Sequence, residues 1–148
     1  MIDDIYNRDI LRLAATMPHI GALADPDASA QAYSRLCGSK VKVDLKMDGD
    51  VISDFAQEVK ACALGQAASS IVGAHVIGST AAEMQALEAR MRAMLKENGP
   101  PPDGKWADLA LLEPVRNYQG RHASTMLIFE AVNDAIDQIR SARRAGAS

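Results

Sequence analysis

An α+β fold, with a small antiparallel sheet of about three strands packed against several helices, is predicted by three observations. Residues 40–47 alternate polar and apolar, most apolar residues after 63 recur at helical spacing, and the strand patterns precede the run of helical ones. The chain has 148 residues, 48% of them hydrophobic, which suits one domain (1–148) with a core of its own. Aromatic residues are only 4%, so Ala, Leu, Val, Ile and Met must fill that core.

Ile2, Ile5, Tyr6, Ile10, Leu13, Ala14 and Met17 recur at helical spacing and predict a first amphipathic helix ended by Pro18. A loop with Gly21 and Pro26 follows, and 28–36 reads as a short first strand. Residues 40–47 are apolar at every odd position, the pattern of a half-buried strand, and the turn signal Asp48-Gly49-Asp50 joins them to a third strand over 51–60. Asp44 falls on the polar face between two lysines, which suits an exposed cross-strand ion pair better than metal ligation.

From 63 to 77, Leu64, Ala67, Ala68, Ile71 and Val72 share one helical face, and the density of Ala, Ser and Gly predicts close approach to a neighbour. Thr80-Ala81-Ala82-Glu83 matches a capping box that opens a helix striped by Met84, Leu87, Met91 and Leu95. That methionine stripe reads as core packing. The prolines and glycines of 98–104 make an exposed connector. A short helix is expected over 106–115, and a long one over 124–143 with Thr125, Ile128, Phe129, Val132, Ala135, Ile136 and Ile139 on its buried stripe.

A net charge of −3 gives no electrostatic footprint for nucleic acid. Arg140, Arg143 and Arg144 read as the solvated end of the last helix, where cations suit the helix dipole. No apolar run approaches the ~20 residues needed to span a bilayer, and Asp3 and Asp4 are the opposite of a basic signal-peptide start. A cytoplasmic location is therefore expected, where a cysteine pair is more often metal-binding or reactive than a structural disulfide.

The two cysteines carry the best functional signal. Cys37 precedes Gly49 by 12 residues and Cys62 follows it by 13, so antiparallel pairing returns both thiols to one end of the hairpin, on strands about 4.8 Å apart. Their Cα atoms are expected within about 8 Å of each other. Cys62 opens a helix, where the macrodipole and free N–H groups favour an anion, and Cys37 sits in a Gly-containing turn open to a partner. A lone Cys is more often a small buried hydrophobe; the hairpin geometry reverses that preference. His19 and His75 read as structural or solvent-exposed. No phosphate-binding Gly-rich loop, nucleophile elbow or paired zinc-finger spacing occurs.

Leu36-Cys37-Gly38-Ser39-Lys40-Val41, the hairpin through Met47-Asp48-Gly49-Asp50-Val51, and Cys62-Ala63-Leu64-Gly65-Gln66 resemble the NifU/IscU/SufU-type scaffold proteins of iron-sulfur cluster assembly. Tyr6, Ile10, Leu11 and Pro18 resemble that family's first helix, and Val115-Arg116-Asn117-Tyr118 through Arg121 and Leu127 the segment that carries its third cysteine. The resemblance implies binding of iron, a nascent iron-sulfur cluster or zinc through Cys37 and Cys62, with a cysteine desulfurase and cluster-accepting proteins as partners.

Two positions depart from the family pattern. Ser39 stands where the family has Asp, and the third cysteine falls on Ser124, a poor ligand, since metal sites use thiolate, imidazole or carboxylate. His122, two residues before Ser124, offers an imidazole to the same site if the loop permits. Besides the scaffold, which is not an enzyme, two classes stay open: a sulfur acceptor or regulatory module of a desulfurase, and a two-cysteine thiol peroxidase or reductase in which Cys62 attacks and Cys37 resolves.

Overall fold

The computed structural model describes residues 6–35 and 38–146. Ile2 and Ile5 of the first apolar stripe, Leu36 at the expected end of the first strand, and Cys37 lie outside them. In chain order the elements are α1 (Arg8–Ala15), β1 (Ala28–Ser34), β2 (Ser39–Asp48), β3 (Val51–Lys60), α2 (Ala63–His75), α3 (Ala81–Lys96), a 3₁₀ helix (Gly104–Asn117), a short 3₁₀ turn (Gln119–Arg121) and α4 (His122–Gly146). The sheet is antiparallel throughout, in the order β1-β2-β3. This is the α+β architecture that the patterning predicts.

The β2–β3 hairpin closes through Gly49 and Asp50 between the paired residues Asp48 and Val51, with Gly49 at φ +62°. Its register slips by one between Lys46 and Met47, which accounts for the rougher alternation of β3: a bulge shifts which residues face inward. On β2 the odd residues Val41, Val43, Leu45 and Met47 are all buried. α4 packs across β1 and β2 and touches α2 and α3, so it forms the centre of the core. Its whole expected stripe, from Thr125 to Ile139, is buried.

Four local readings change. Asp44 is not an exposed ion-pair partner: it is 4% exposed, accepting from the Leu23 N–H at 3.0 Å and from Ser29 Oγ at 2.6 Å. The loop before β1 folds over the polar face of the sheet, and the carboxylate satisfies a loop amide that would otherwise lack a partner. The expected short α-helix over 106–115 is a longer 3₁₀ helix with Pro114 inside it. Trp106, Leu109, Leu112 and Val115 recur every third residue, which at three residues per turn puts them in one line, and all four are buried.

The capping box is only half formed. Thr80 Oγ1 accepts from the Glu83 N–H at 3.1 Å, but the Glu83 carboxylate turns to the Trp106 indole N–H (2.8 Å) and Lys105 Nζ (3.1 Å), tying α3 to the 3₁₀ helix. Finally, Arg143 is not merely solvated: its guanidinium donates to the carbonyls of Gly49 (2.6 Å) and Met47 (2.7 Å), while Arg140 lies 3.6 Å from Asp50. The C-terminal end of α4 thus clamps the hairpin turn. Among the described residues no helix is long and apolar enough to cross a membrane.

Candidate functional site

The opposite end of the sheet holds the candidate site. Lys40 pairs with Lys60, so Gly38 and Cys62 lie two residues further along their strands at the same end of the hairpin. Gly38, at φ +69°, donates its N–H to the Ser34 carbonyl at 2.9 Å and turns β1 into β2. A left-handed backbone suits glycine there. Cys62 is the N-cap residue of α2, in extended conformation, and its carbonyl accepts from the Gln66 N–H at 3.0 Å. The Gln66 amide in turn donates to the Ala61 carbonyl at 2.8 Å, fixing the strand-to-helix corner that presents the thiol.

Ser124 comes to this corner from α4. Its Oγ lies 3.1 Å from Cys62 Sγ and 3.5 Å from Ser39 Oγ. Both serines are buried, whereas Cys62 is half-buried. The approach of α4 to α2 depends on Gly65: a Cβ there would stand 2.8 Å from Ala61 Cβ and 3.0 Å from Ser124 Oγ, closer than such contacts allow. The small residues of α2 therefore set the distance between hydroxyl and thiol.

His122 goes elsewhere. Its Nε2 lies 2.9 Å from the Val115 carbonyl and 3.2 Å from that of Arg116, in a side chain only 7% exposed. Residues two apart on a helix point about 200° apart, so an imidazole turned to the 3₁₀ helix leaves the Ser124 face. The loop that would have allowed it to share a site is itself the first turn of α4. His19, at φ 59°, is exposed with its ring edge toward Phe55, and His75 is half-buried against Trp106.

The structure thus brings together Cys62, Ser124 and Ser39 and leaves His122 out; Cys37 lies outside the described residues. Among the described residues no three His, Cys, Asp or Glu side chains are grouped to hold a metal. One thiol and two hydroxyls are a soft ligand set only in part, since a serine oxygen is neither thiolate nor imidazole. Gly65, which sequence reasoning did not single out, was visible only as part of an Ala-, Ser- and Gly-rich helix.

Comparison with known proteins agrees with this geometry. Residues 5–125 match the family model described as NifU-like N terminal domain. A crystal structure of a nitrogen-fixing NifU-like protein (N-terminal) from Brucella abortus superposes with a TM-score of 0.93 at 58% identity, over 95% of this chain and 97% of that one. The iron-sulfur cluster assembly scaffold protein IscU of Thermotoga maritima is 25% identical over 91% of this chain and 94% of its own length. Its namesake from Streptococcus pyogenes is 26% identical over 85% of this chain and 79% of its own. With the family model spanning most of the chain and the whole fold superposing on that of a solved NifU-like relative, the protein belongs to the NifU-like N-terminal domain family of iron-sulfur cluster assembly scaffolds.

Proposed function

We propose that the corner formed by Cys62, Ser124 and Ser39, together with the Cys37 thiol, receives iron and sulfur as cargo, and that the chain acts as an assembly scaffold with one thiolate fewer than its family. The observation that carries this is the 3.1 Å approach of Ser124 Oγ to Cys62 Sγ, which supports reading the hydroxyl as the counterpart of a third ligand. Cys37 and Cys62 bind the metal as thiolates. Ser124 and Ser39 donate hydrogen bonds to sulfur rather than ligating, so cargo is held loosely and passed on readily. Iron or a nascent cluster is the cargo; zinc binds the same thiolates. A cysteine desulfurase supplies the sulfur, and cluster-accepting proteins take the product.

Anaerobic reconstitution with iron, sulfide and a cysteine desulfurase, followed by absorption spectroscopy and elemental analysis, tests the reading. Iron and sulfide should co-purify with the natural chain and be removed easily by a chelator, and Cys62→Ala and Cys37→Ala should each abolish retention. Retention that survives both substitutions would place the site elsewhere.

The weak ligand set also supports a second reading, in which the chain accepts sulfur alone. The Cys62 thiolate attacks the outer sulfur of a desulfurase persulfide, the new S–S bond forms on Cys62, and the donor cysteine leaves as thiolate. Iron-free chain that carries a sulfane sulfur on Cys62 after incubation with desulfurase and cysteine, yet retains no iron, favours this second reading.

A further inference from the structure

On the other side of the first turn of α4 lies a hollow of about 670 Å³, walled by the C-terminal half of α3, the following connector, the end of the 3₁₀ helix and α4. Its rim carries Arg92, Lys96 and Arg116, with one carboxylate, Glu130, and its apolar wall is made by the buried Leu95 and Met126. His122 closes one side, nine-tenths buried and held to the Val115 and Arg116 carbonyls. From these features we infer that the hollow is a binding site for a phosphorylated small molecule.

Charge and shape agree. Arg92 is paired with Glu88 (3.1 Å) and Glu130 (3.4 Å), and Arg116 with Glu113 (3.6 Å) and the Gly99 carbonyl (3.0 Å), so both guanidiniums are held in place. Lys96 is exposed and makes no ion pair among the described residues. Arg116 Nε is buried without a hydrogen-bond partner, an arrangement native structures rarely leave unsatisfied. An anionic oxygen seated against Arg116 supplies the missing acceptor.

Burial raises the Glu130 carboxyl above its ordinary range, against the charges of Arg92 and Lys96 and with that of Glu88, so the one acid of the hollow yields its negative charge more readily than an exposed one. The guanidinium N–H groups that these ion pairs leave over, with the Lys96 ammonium, suit a dianionic phosphate better than a single carboxylate. The volume falls in the range of small-molecule sites, roughly 300–1,000 Å³, and exceeds what one phosphate fills. Leu95 and Met126 are there to meet the organic part of the ligand. The site faces away from Ser124, so it stands independently of the scaffold reading.

Calorimetric titration of the full chain, in metal-free buffer, with pyrophosphate, ADP and, as a phosphate-free polyanion, citrate tests the assignment. At least one phosphate probe should saturate at about millimolar or lower concentration and more tightly than citrate. Lys96→Glu, on an exposed side chain that makes no ion pair among the described residues, should weaken it about tenfold or more, while Lys42→Glu, an equal charge change on the sheet, leaves it unchanged. Amide shifts at Asn98, Gln119 and Ala123 should report the binding. The inference fails if neither phosphate probe saturates below about 10 mM, if citrate binds as tightly, or if Lys42→Glu weakens binding as much as Lys96→Glu.

Discussion

The first turn of α4 sends neighbouring side chains to opposite sides, and the two sides are built on different physics. Ser124 enters a close-packed seam made by subtraction: Gly65, Ala61 and a serine hydroxyl let two helices and a strand end converge on Cys62. His122 enters the edge of a roomy hollow made by accumulation, where arginines, a lysine and a half-buried glutamate gather. In the seam, position is set by steric contact, so the removal or addition of one methyl group matters. In the hollow, position is set by ion pairs that tolerate movement, so the balance of charge matters more than volume.

Added volume does the most damage in the seam. Gly65→Val forces Ala61 and Ser124 apart; it should cost about 1–3 kcal/mol in urea unfolding and eliminate iron retention on Cys62. Pyrophosphate binding by the fraction that remains folded should be unchanged. Stability equal to that of the natural chain would mean that the seam can relax and does not fix the Ser124–Cys62 distance.

His122→Ala acts on the other side. It removes a buried ring that bonds the Val115 and Arg116 carbonyls, of which the first still accepts from the Tyr118 N–H, and should destabilise the chain by about 1–3 kcal/mol. Iron retention, measured after reconstitution, should match that of the natural chain, because the imidazole is turned to Val115 and Arg116. Loss of retention at unchanged stability would return His122 to the ligand set.

The smallest effect concerns pH. Because the folded state raises the Glu130 carboxyl, it binds that proton more tightly than the unfolded chain does, so this group's contribution is fully present below the unfolded value and lost as pH rises through the folded one. Urea midpoints between about pH 4 and 7 should fall less steeply with rising pH in Glu130→Gln than in the natural chain, since glutamine cannot titrate. An identical pH profile in the two proteins contradicts that assignment.

What the sequence disclosed follows the range of the interactions. The hairpin was legible because alternation over 40–47 and the Asp-Gly turn are local signals, and the same count brought Cys62 to the end of the sheet where it is found. The role of Asp44 was not legible, since the partners that bury it, Leu23 and Ser29, come from a loop and a strand whose placement is tertiary. The three-residue spacing of Trp106, Leu109, Leu112 and Val115 already carried the 3₁₀ period and was readable as such.

The positions of Ser124 and His122 turned on one boundary. A helix beginning at 124 leaves His122 in a loop free to turn toward the cysteines, whereas α4 begins at His122 and fixes the two side chains about 200° apart. The hollow had no linear signal at all. Its charges come from residues as far apart as Arg92 and Glu130, and only the packing of α3 against α4 assembles them.

Counting sulfur around a bound metal shows whether Ser124 stands at the position of a third ligand beside Cys62. Zinc is the clean probe, and X-ray absorption at its edge resolves Zn–S contacts at about 2.3 Å from the shorter contacts to nitrogen and oxygen. In the natural chain, with two cysteines, the count should not exceed two. Ser124→Cys should add one sulfur to that count and make zinc harder to strip with a chelator, with little change in the stability of the metal-free fold. A sulfur count that is the same in Ser124→Cys and in the natural chain would show that position 124 does not face the metal.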